Sequence, residues 1–252
     1  MADNNKLELV VEVDVNKANA SIKSINTGRI CVLTGAGVSA ERGIPTFPEP
    51  GGLWRNFRLR ELATPAAFAL DPTLVWEWYQ WRRRIIAAAQ PNAGHYALVD
   101  LENRAASFTL ITQNVDGLHQ RAGSRNVLEI HGSLWTARCT VCGIQQANHD
   151  VPLPALPPRS ACGGMLRPGV VWFGEGLEAQ VWHNAKKAVR SAELLLVAGT
   201  SAVVNPAASL VPLAKSLGAR VVEINLDETP ISDAVDFSLR GTSAHVLTEL
   251  MK

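Results

Sequence analysis

The stretch RICVLTGAGVSA, residues 29–40, constrains the fold more than any other part of the sequence. Its apolar run Ile30–Leu33 predicts a buried strand, the glycines that follow predict a tight turn, and the residues after them predict the start of a helix. A buried strand that leads directly into a helix is typical of the first unit of an α/β domain.

Four further short runs rich in Val, Ile and Leu predict strands of the same buried kind. They are FTLITQN, NVLEIHG, ELLLVAGTS and ARVVEIN, at residues 108–114, 126–132, 193–201 and 219–225. Helical stretches such as HNAKKAVRSA and PAASLVPLAKSLGA separate several of them. The alternation predicts an open parallel sheet of Rossmann type with helices on both faces, where ligands bind beyond the carboxyl ends of the strands.

Two segments depart from this alternation and are interpreted as insertions into one α/β domain of residues 28–252. Residues 48–104 are mostly helical and aromatic-rich, while residues 136–167 are rich in proline and carry three of the four cysteines. Residues 1–27 remain as an N-terminal segment. The Rossmann-like part is then built from three pieces of chain: residues 28–47, 105–135 and 168–252.

Composition restricts the classes of partner. Lys and Arg total 24 against 23 Asp and Glu, so the chain offers no basic field for nucleic acid or an anionic membrane surface. The sequence contains no run of 18 apolar residues, which excludes a spanning helix. Residues 1–20 carry scattered acidic residues and no sustained apolar run, which predicts a cytoplasmic protein without a secretory signal. We also expect a monomer.

The glycine turn fits a dinucleotide-binding pattern. Gly35-Ala36-Gly37-Val38-Ser39-Ala40 matches G-x-G-x-x-G/A between a strand and a helix, as that pattern requires. Glycines let the backbone approach a pyrophosphate, and the helix start offers amide groups to it. A tight turn that needs glycine explains the same residues equally well. In addition, no acidic residue stands clearly at a strand end about twenty residues on, where a ribose contact is usual.

Polar residues follow two of the predicted strands. Gln113-Asn114-Val115-Asp116 ends one strand, and His131-Gly132 follows the next. Residues in such positions are candidates for a ligand site, and imidazole suits a general base because its pKa lies near neutrality. A polar loop with local Asn and Asp turns is the alternative for the first group, and a lone histidine is more often structural.

Six motifs occur in the order and approximate spacing of the sirtuin family. They are GAGVSAERGIPTF, TQNVDGLHQRAG, EIHG, LRPGVVWFGE, GTS and EIN, and through them the chain resembles that family over about residues 28–247. The resemblance implies an enzyme that cleaves NAD and transfers an acyl group from a protein lysine to ADP-ribose. The implied products are nicotinamide, free lysine and 2′-O-acyl-ADP-ribose.

The resemblance also implies residue roles. His131 is the general base that takes a proton relayed from the NAD ribose hydroxyls, Asn114 and Asp116 are assigned to catalysis with it, and His119 is interpreted as a structural or pocket-supporting group. The further residues assigned to NAD, beside Asn114 and Asp116, are Gly35, Ala36, Gly37, Ala40, Phe47, Trp54, Gln113, Val115, Gly199, Thr200, Ser201, Asn225, Leu226, Asp227 and Ser243.

The segment Val171–Glu175 has the sequence VWFGE. It resembles the sirtuin segment that pairs with an extended peptide around the acyl-lysine. Main-chain pairing of this type gives affinity with little side-chain selectivity. The residues assigned to the acylated peptide here are Val171, Phe173, Gly174 and Glu175.

The cysteines depart from the family pattern. Cys139-x-x-Cys142 and Cys162 resemble a structural zinc site of two Cys-x-x-Cys pairs, in which Arg159 replaces one cysteine. A cation cannot replace a thiolate. Three cysteines could still bind zinc with His149 or a water molecule as the fourth ligand, or packing alone could hold the module. The implied chemistry needs no metal in catalysis.

Pro48 is a second departure, since the family loop carries an arginine there, near the NAD phosphates. The loss of this arginine removes a cation and several hydrogen-bond donors, so weaker NAD binding or altered kinetics is expected.

Two alternatives to a deacylase stay open: a module that binds NAD or ADP-ribose without turnover, and a mono-ADP-ribosyltransferase. Intact His131, Asn114 and Asp116 favour the deacylase.

The stretch WEWYQWRRR, residues 76–84, raises the question of substrate. Tyr79 and Arg82 are three residues apart and share one face of a predicted helix, while Arg83 and Arg84 are predicted to form a solvated edge. An aromatic core with surface arginines explains the stretch as well. However, Tyr-x-x-Arg resembles the signature of the sirtuin branch that removes succinyl and malonyl groups. This implies that Tyr79 and Arg82 bind an acyl carboxylate, with some deacetylation retained.

Overall fold

The computed structural model describes residues 28–40, 53–54 and 57–252. Two residues of the sequence analysis lie outside the described residues: Phe47, which was assigned to NAD, and Pro48, which replaces the arginine of the family loop. Only the backbone of Trp54 is described, in a short strand pair with Phe57. In the described part of the chain, no helix has both the length and the apolar character needed to cross a membrane.

A six-stranded parallel sheet forms the centre of the fold. Across the sheet the strands are β11 (Phe237–Arg240), β10 (Arg220–Asn225), β9 (Leu194–Ala198), β1 (Arg29–Thr34), β4 (Ser107–Thr112) and β5 (Val127–Glu129). Two halves run outward from β1 and β9, which is the Rossmann strand order. The predicted open parallel sheet is therefore confirmed.

Helices cover both faces of this sheet, because successive residues of each buried strand point to opposite sides. Val32 of β1 packs on one face with Leu98 and Leu247, whereas its neighbour Leu33 packs on the other face with Val211. The helices of the first face are α1 (Gly37–Ala40), α5 (Ala93–Arg104) and α9 (Ser243–Leu250). Those of the second face are α7 (Ala179–Ser191) and α8 (Leu210–Ser216), the latter preceded by a 3₁₀ turn at Ala207–Ser209.

A second cluster of buried residues joins a group of helices to a small antiparallel sheet. Trp76, Phe68 and Leu166 belong to it, and the Trp76 indole donates to the carbonyl of Leu166 at 2.8 Å. The helices are α2 (Leu59–Leu62), α3 (Pro65–Leu70) and α4 (Pro72–Ala88), with α6 (Leu118–Ala122) beside them. The sheet has the order β7 (Gln145–Ala147), β6 (Gly132–Cys139), β8 (Leu166–Val170), and β2 (Leu53–Trp54) and β3 (Phe57–Arg58) form a separate hairpin.

The two predicted insertions thus pack largely on each other. Residues 93–104, assigned to the helical insertion, form α5, whose Leu98 and Leu101 pack on the main sheet instead. The domain boundaries drawn from the sequence stay a prediction.

The predicted strand 126–132 is divided between the two sheets. β5 ends at Glu129, and Gly132 begins β6 with a φ of +75°. A Cβ at Gly132 would lie 2.2 Å from the carbonyl oxygen of Gly169 in β8, so only glycine fits this turn. The chain therefore leaves the main sheet at His131 and enters the small sheet immediately after it.

The prediction that Arg83 lies on a solvated edge is wrong. Its side chain is 1% exposed, and its Nη2 donates to the carbonyl and side-chain oxygens of Asn148 at 2.7 and 2.6 Å and to the carbonyl of Asp150 at 3.1 Å. The guanidinium also lies over the Trp135 ring, 5.2 Å from its centroid. Arg84, by contrast, is exposed as predicted.

We expect Arg83→Ala to lower the free energy of unfolding by about 2 kcal/mol, because it leaves buried carbonyl groups without a charged donor. The matched control Arg84→Ala, one residue along the same helix and exposed, should change it by less than about 0.5 kcal/mol. Urea unfolding followed by tryptophan fluorescence measures both. Equal effects of the two substitutions would show that Arg83 contributes no more than a surface arginine.

Candidate active site

The candidate site lies where the two halves of the main sheet diverge, beyond the carboxyl ends of β1 and β9. The loops after these strands pack backbone against backbone. The amides of Gly35 and Gly37 donate to the carbonyls of Ala198 and Gly199 at 3.0 and 2.8 Å. A Cβ on Gly37 would lie 2.7 Å from the Cα of Gly199, which itself has a φ of +61°. The glycines are thus required first by this close approach of the two loops.

Most residues assigned to NAD gather at this edge of the sheet. They lie at or after the ends of β1, β4, β9 and β10 or within α1: Gly35, Ala36, Gly37, Ala40, Gln113, Asn114, Val115, Asp116, Gly199, Thr200, Ser201, Asn225, Leu226 and Asp227. Ser243 is buried at the start of α9, close to Gly94 of α5, so its assigned ligand contact stays a prediction.

Ser39 connects the two residues assigned to catalysis beside His131. Its hydroxyl donates to Asp116 Oδ2 at 2.8 Å and lies 3.3 Å from Asn114 Nδ2, which also donates to the carbonyl of Gly35 at 3.0 Å. Asp116 Oδ1 accepts from the amide of Leu118 at 2.9 Å. Ser39 was not singled out from the sequence. The only signal for it is its place in the first turn of the helix that faces these strand ends.

The pKa of Asp116 is raised, chiefly because the carboxyl group is buried, although its hydrogen bonds and the positive charge of Arg82 act in the opposite direction. Both oxygens of the group are held by donors from the protein. Asp116 is therefore fixed in position rather than free to turn toward solvent.

Thr200 connects the ends of β4, β9 and β10. Its hydroxyl accepts from Gln113 Nε2 at 2.9 Å, and its carbonyl accepts from Asn225 Nδ2 at 3.1 Å. Asn225 Oδ1 in turn accepts from the amide of Leu226 at 3.0 Å. Ser201, Leu226 and Asp227 are exposed along the same edge. These hydrogen bonds fix the strand ends in position, while Ser201, Leu226 and Asp227 remain accessible to a ligand.

His131 is half-buried, and one hydrogen bond fixes its tautomer. Its Nδ1 lies 3.1 Å from the carbonyl oxygen of Gln113. A carbonyl only accepts, so Nδ1 carries the proton and Nε2 keeps a free lone pair. Burial lowers the pKa of His131, and the bond to Gln113 offsets this only in part. The ring is therefore neutral at physiological pH and can accept a proton at Nε2.

His119 has a different environment. It is 1% exposed, and its Nε2 lies 3.0 Å from the hydroxyl of Thr34, which donates to Thr112. Burial, with the nearby His95, lowers the pKa of His119 to about 3. A buried neutral ring that bonds to a core threonine agrees with the supporting role expected from the sequence.

Tyr79 and Arg82 lie on one face of α4, as predicted. The Tyr79 side chain is 2% exposed, and its hydroxyl oxygen accepts from the Trp172 indole at 2.9 Å. Burial raises the pKa of Tyr79 to about 12, so the hydroxyl keeps its proton. Arg82 is half-buried over Trp78, with 5.4 Å between the guanidinium carbon and the ring centroid. Among the described residues, the Arg82 guanidinium has no hydrogen-bond or salt-bridge partner.

The segment assigned to the peptide is held rigidly by its neighbours. Arg167 forms a bidentate pair with Glu175 at 2.6 and 2.8 Å, and its guanidinium carbon lies 3.5 Å from the centroid of the Trp172 ring. Glu175 also accepts from the amide of Trp172. The Glu175 carboxylate is therefore engaged within the segment, which leaves the exposed Phe173 and Gly174 as its outward-facing part.

The cysteine cluster fits a metal ion. The sulfur of Cys162 lies 3.5 Å from those of both Cys139 and Cys142, and the three lie within 4.8 Å of one another. A Cβ at Gly164 would come within 2.6 Å of the Cys139 sulfur, so glycine keeps this space open. Three close thiols suit zinc, which would join the turn after β6 to the turn before β8.

The two other residues considered for this cluster lie elsewhere. Arg159 is exposed, and its Nη1 donates to the carbonyl of Gly163 at 2.9 Å. The expectation that His149 could complete the site is wrong, because its ring stacks on Trp135 with 5.8 Å between centroids. No further Cys, His, Asp or Glu from the described residues joins the three cysteines.

Comparison with known proteins assigns the family. Residues 35–206 match the protein family described as the Sir2 family. The NAD-dependent protein deacylase of Aquifex aeolicus (strain VF5) is 53% identical over 212 residues, which is 84% of this chain and 89% of the relative. The NAD-dependent protein deacylase 1 of Archaeoglobus fulgidus is 51% identical over 233 residues, 92% of this chain and 95% of the relative.

Solved structures agree with this assignment. The crystal structure of a Sir2 homolog–NAD complex has a TM-score of 0.87 and 50% identity, and covers 92% of this chain and 91% of that one. The chain therefore belongs to the Sir2 family, and the resemblance seen in its motifs is confirmed.

We expect an NMR titration of the ring nitrogens to give His131 a pKa below 6.5 and an Nδ1-protonated neutral form, because burial disfavours the cation and Gln113 accepts from Nδ1. His131→Gln, which removes the ring, assigns the signal. A His131 pKa at or above 6.5, or a proton on Nε2, would contradict this geometry.

Proposed function

We propose that this Sir2-family enzyme, an NAD-dependent protein deacylase, acts preferentially on lysine that carries a succinyl or malonyl group. The observation that carries the proposal is the state of Arg82, a half-buried cation without a hydrogen-bond or salt-bridge partner among the described residues, beside a tyrosine hydroxyl that keeps its proton.

The hydroxyl of Tyr79 is arranged to donate. Since Trp172 donates to its oxygen, the phenolic proton points elsewhere and is available to an acceptor. Arg82 adds a second donor group that cannot lose its charge. A carboxylate at the end of an acyl chain can accept from both, and each charged hydrogen bond contributes about 1.5 to 3 kcal/mol.

The charge balance favours the same substrate. Burial lowers the pKa of Arg82, while the negative charge of Asp116 acts in the opposite direction. Asp116 therefore offsets part of the cost of burying the cation without forming a salt bridge to it. A substrate carboxylate would supply the missing direct partner. An acetyl group leaves both donors without an acceptor, although its small size still fits and water can remain at Arg82.

The residues assigned to catalysis can carry the proton transfer that this reaction requires. When bound, NAD supplies the ribose carbon from which nicotinamide leaves and the hydroxyl that receives the acyl group. His131 Nε2 has a free lone pair for the proton of that hydroxyl, while Asn114 and Asp116 are held by Ser39 at the floor of the cleft. The main chain of His131 also accepts from the amide of Val171 at 2.8 Å, which ties the base to the peptide segment.

Two alternatives use the same cleft: a module that binds NAD or ADP-ribose without turnover, and a mono-ADP-ribosyltransferase. Two features favour deacylation over these alternatives: the free lone pair of His131 Nε2, and the hydrogen bond from the Val171 amide to the His131 carbonyl. Release of nicotinamide that depends on an acylated peptide separates deacylation from them. Acylated proteins are the proposed partners, and a monomer without nucleic-acid or membrane partners stays a prediction.

We expect Arg82→Met to lower kcat/KM for a succinyl-lysine peptide by about 10²-fold, because the substrate carboxylate loses its charged partner. With the acetyl-lysine form of the same peptide, the loss should stay within a few-fold. Arg84→Met, an exposed position on the same helix, is the matched control and should change neither value. Equal losses on both peptides would assign Arg82 a structural role.

We expect His131→Ala to lower turnover by about 10²- to 10⁴-fold, the usual contribution of a positioned general base, with NAD affinity nearly unchanged. Turnover is measured as nicotinamide released with acyl-peptide, and affinity by calorimetry. Activity that survives within a few-fold would exclude His131 as the base.

A further inference from the structure

The cysteine cluster has a fourth neighbour that the cysteine pattern does not predict. The hydroxyl oxygen of Ser160 lies 3.1 Å from the sulfur of Cys139 and 3.0 Å from that of Cys162. We propose that Ser160 is the fourth ligand of a zinc ion bound by Cys139, Cys142 and Cys162, in place of the missing thiolate.

Two facing turns bring the four side chains together. In the first turn the amide of Cys139 donates to the carbonyl of Ile144, and the amide of Gly143 donates to that of Cys139. In the second turn the amide of Ser160 donates to the carbonyl of Gly164, and the amide of Gly163 donates to that of Ser160. Each turn carries two of the proposed ligands.

The second turn explains why the replaced position is not the ligand. A Cys-x-x-Cys pair would use Arg159, but the Arg159 guanidinium is held by the carbonyl of Gly163 on the exposed side. The next residue, Ser160, points to the sulfurs instead. The second pair is therefore Ser160-x-Cys162, with one residue fewer between its members.

The hydroxyl of Ser160 is oriented for metal binding. It donates its proton to the carbonyl of Gly164 at 3.2 Å, so its lone pairs remain for the cluster. A tetrahedral zinc ion bonded to thiolates at about 2.3 Å separates the sulfurs by about 3.8 Å, close to the 3.5 Å found between Cys162 and each of the other two. Zinc accepts oxygen ligands beside sulfur, and a neutral hydroxyl makes a weaker bond than a fourth thiolate.

The experiment measures zinc affinity rather than activity. Full-length protein is stripped with a chelator, reloaded with zinc and titrated against a chromophoric chelator. We expect one zinc per wild-type chain, an affinity about 10- to 100-fold weaker in Ser160→Ala, and a tighter site in Ser160→Cys. Arg159→Ala and His149→Ala are matched controls and should stay within about threefold of wild type, because neither side chain faces the sulfurs.

Three outcomes would overturn the proposal: no zinc in the reloaded wild type, wild-type affinity in Ser160→Ala, or loss of zinc in His149→Ala. Cobalt substitution keeps the test valid if Ser160→Ala does not fold. Cobalt-loaded wild type should have a tetrahedral spectrum, and Ser160→Cys should raise the thiolate-to-cobalt charge-transfer intensity by about a third, as three thiolates become four. Equal intensities would place the new sulfur outside the coordination sphere and exclude position 160.

Discussion

The close contact between the loops after β1 and β9 is the constraint on which the candidate site depends. Gly37 and Gly199 approach so closely that a side chain on either would meet backbone atoms of the other loop within 3 Å. This contact holds the ends of β1 and β9 together at the point where the two halves of the sheet diverge. Asn114 then reaches the carbonyl of Gly35, and Gln113 reaches Thr200, because the loops that carry these partners are fixed. Larger residues at the glycines would separate the strand ends and with them the polar groups of the cleft.

A second link joins the proposed base to the residues proposed to bind the acyl group. His131 stands at the exit from the main sheet, and Gly132 turns the chain into the small sheet, whose last strand leads to Val171 and Trp172. The carbonyl of His131 accepts from Val171, and the Trp172 indole donates to Tyr79 on α4. One short piece of chain therefore connects His131, the segment assigned to the peptide and Tyr79. In the proposed function, proton transfer and acyl recognition would therefore share one support, although the residues that carry them come from distant parts of the sequence.

The three consecutive arginines of α4 differ because of what surrounds them. Arg83 enters the interior and bonds to carbonyl groups of residues 148 and 150, Arg82 lies half-buried near Asp116, and Arg84 is exposed. Arg83 thus ties α4 to the loop that follows the small sheet's edge strand. A charge run that looks uniform in the sequence thus occupies three different environments in the fold.

The sequence by itself determined the features that arise from local patterns: the buried parallel strands, the glycine turn, the shared helix face of Tyr79 and Arg82, and the clustered cysteines. Each depends on spacing within a few residues, where periodicity and turn chemistry act. Only the tertiary structure decided the burial of Arg83, the stacking of His149 on Trp135, the place of Ser39 between Asn114 and Asp116, and the tautomer of His131. Their partners lie from 14 to 77 residues away along the chain, and no local pattern encodes which distant group a polar side chain will meet.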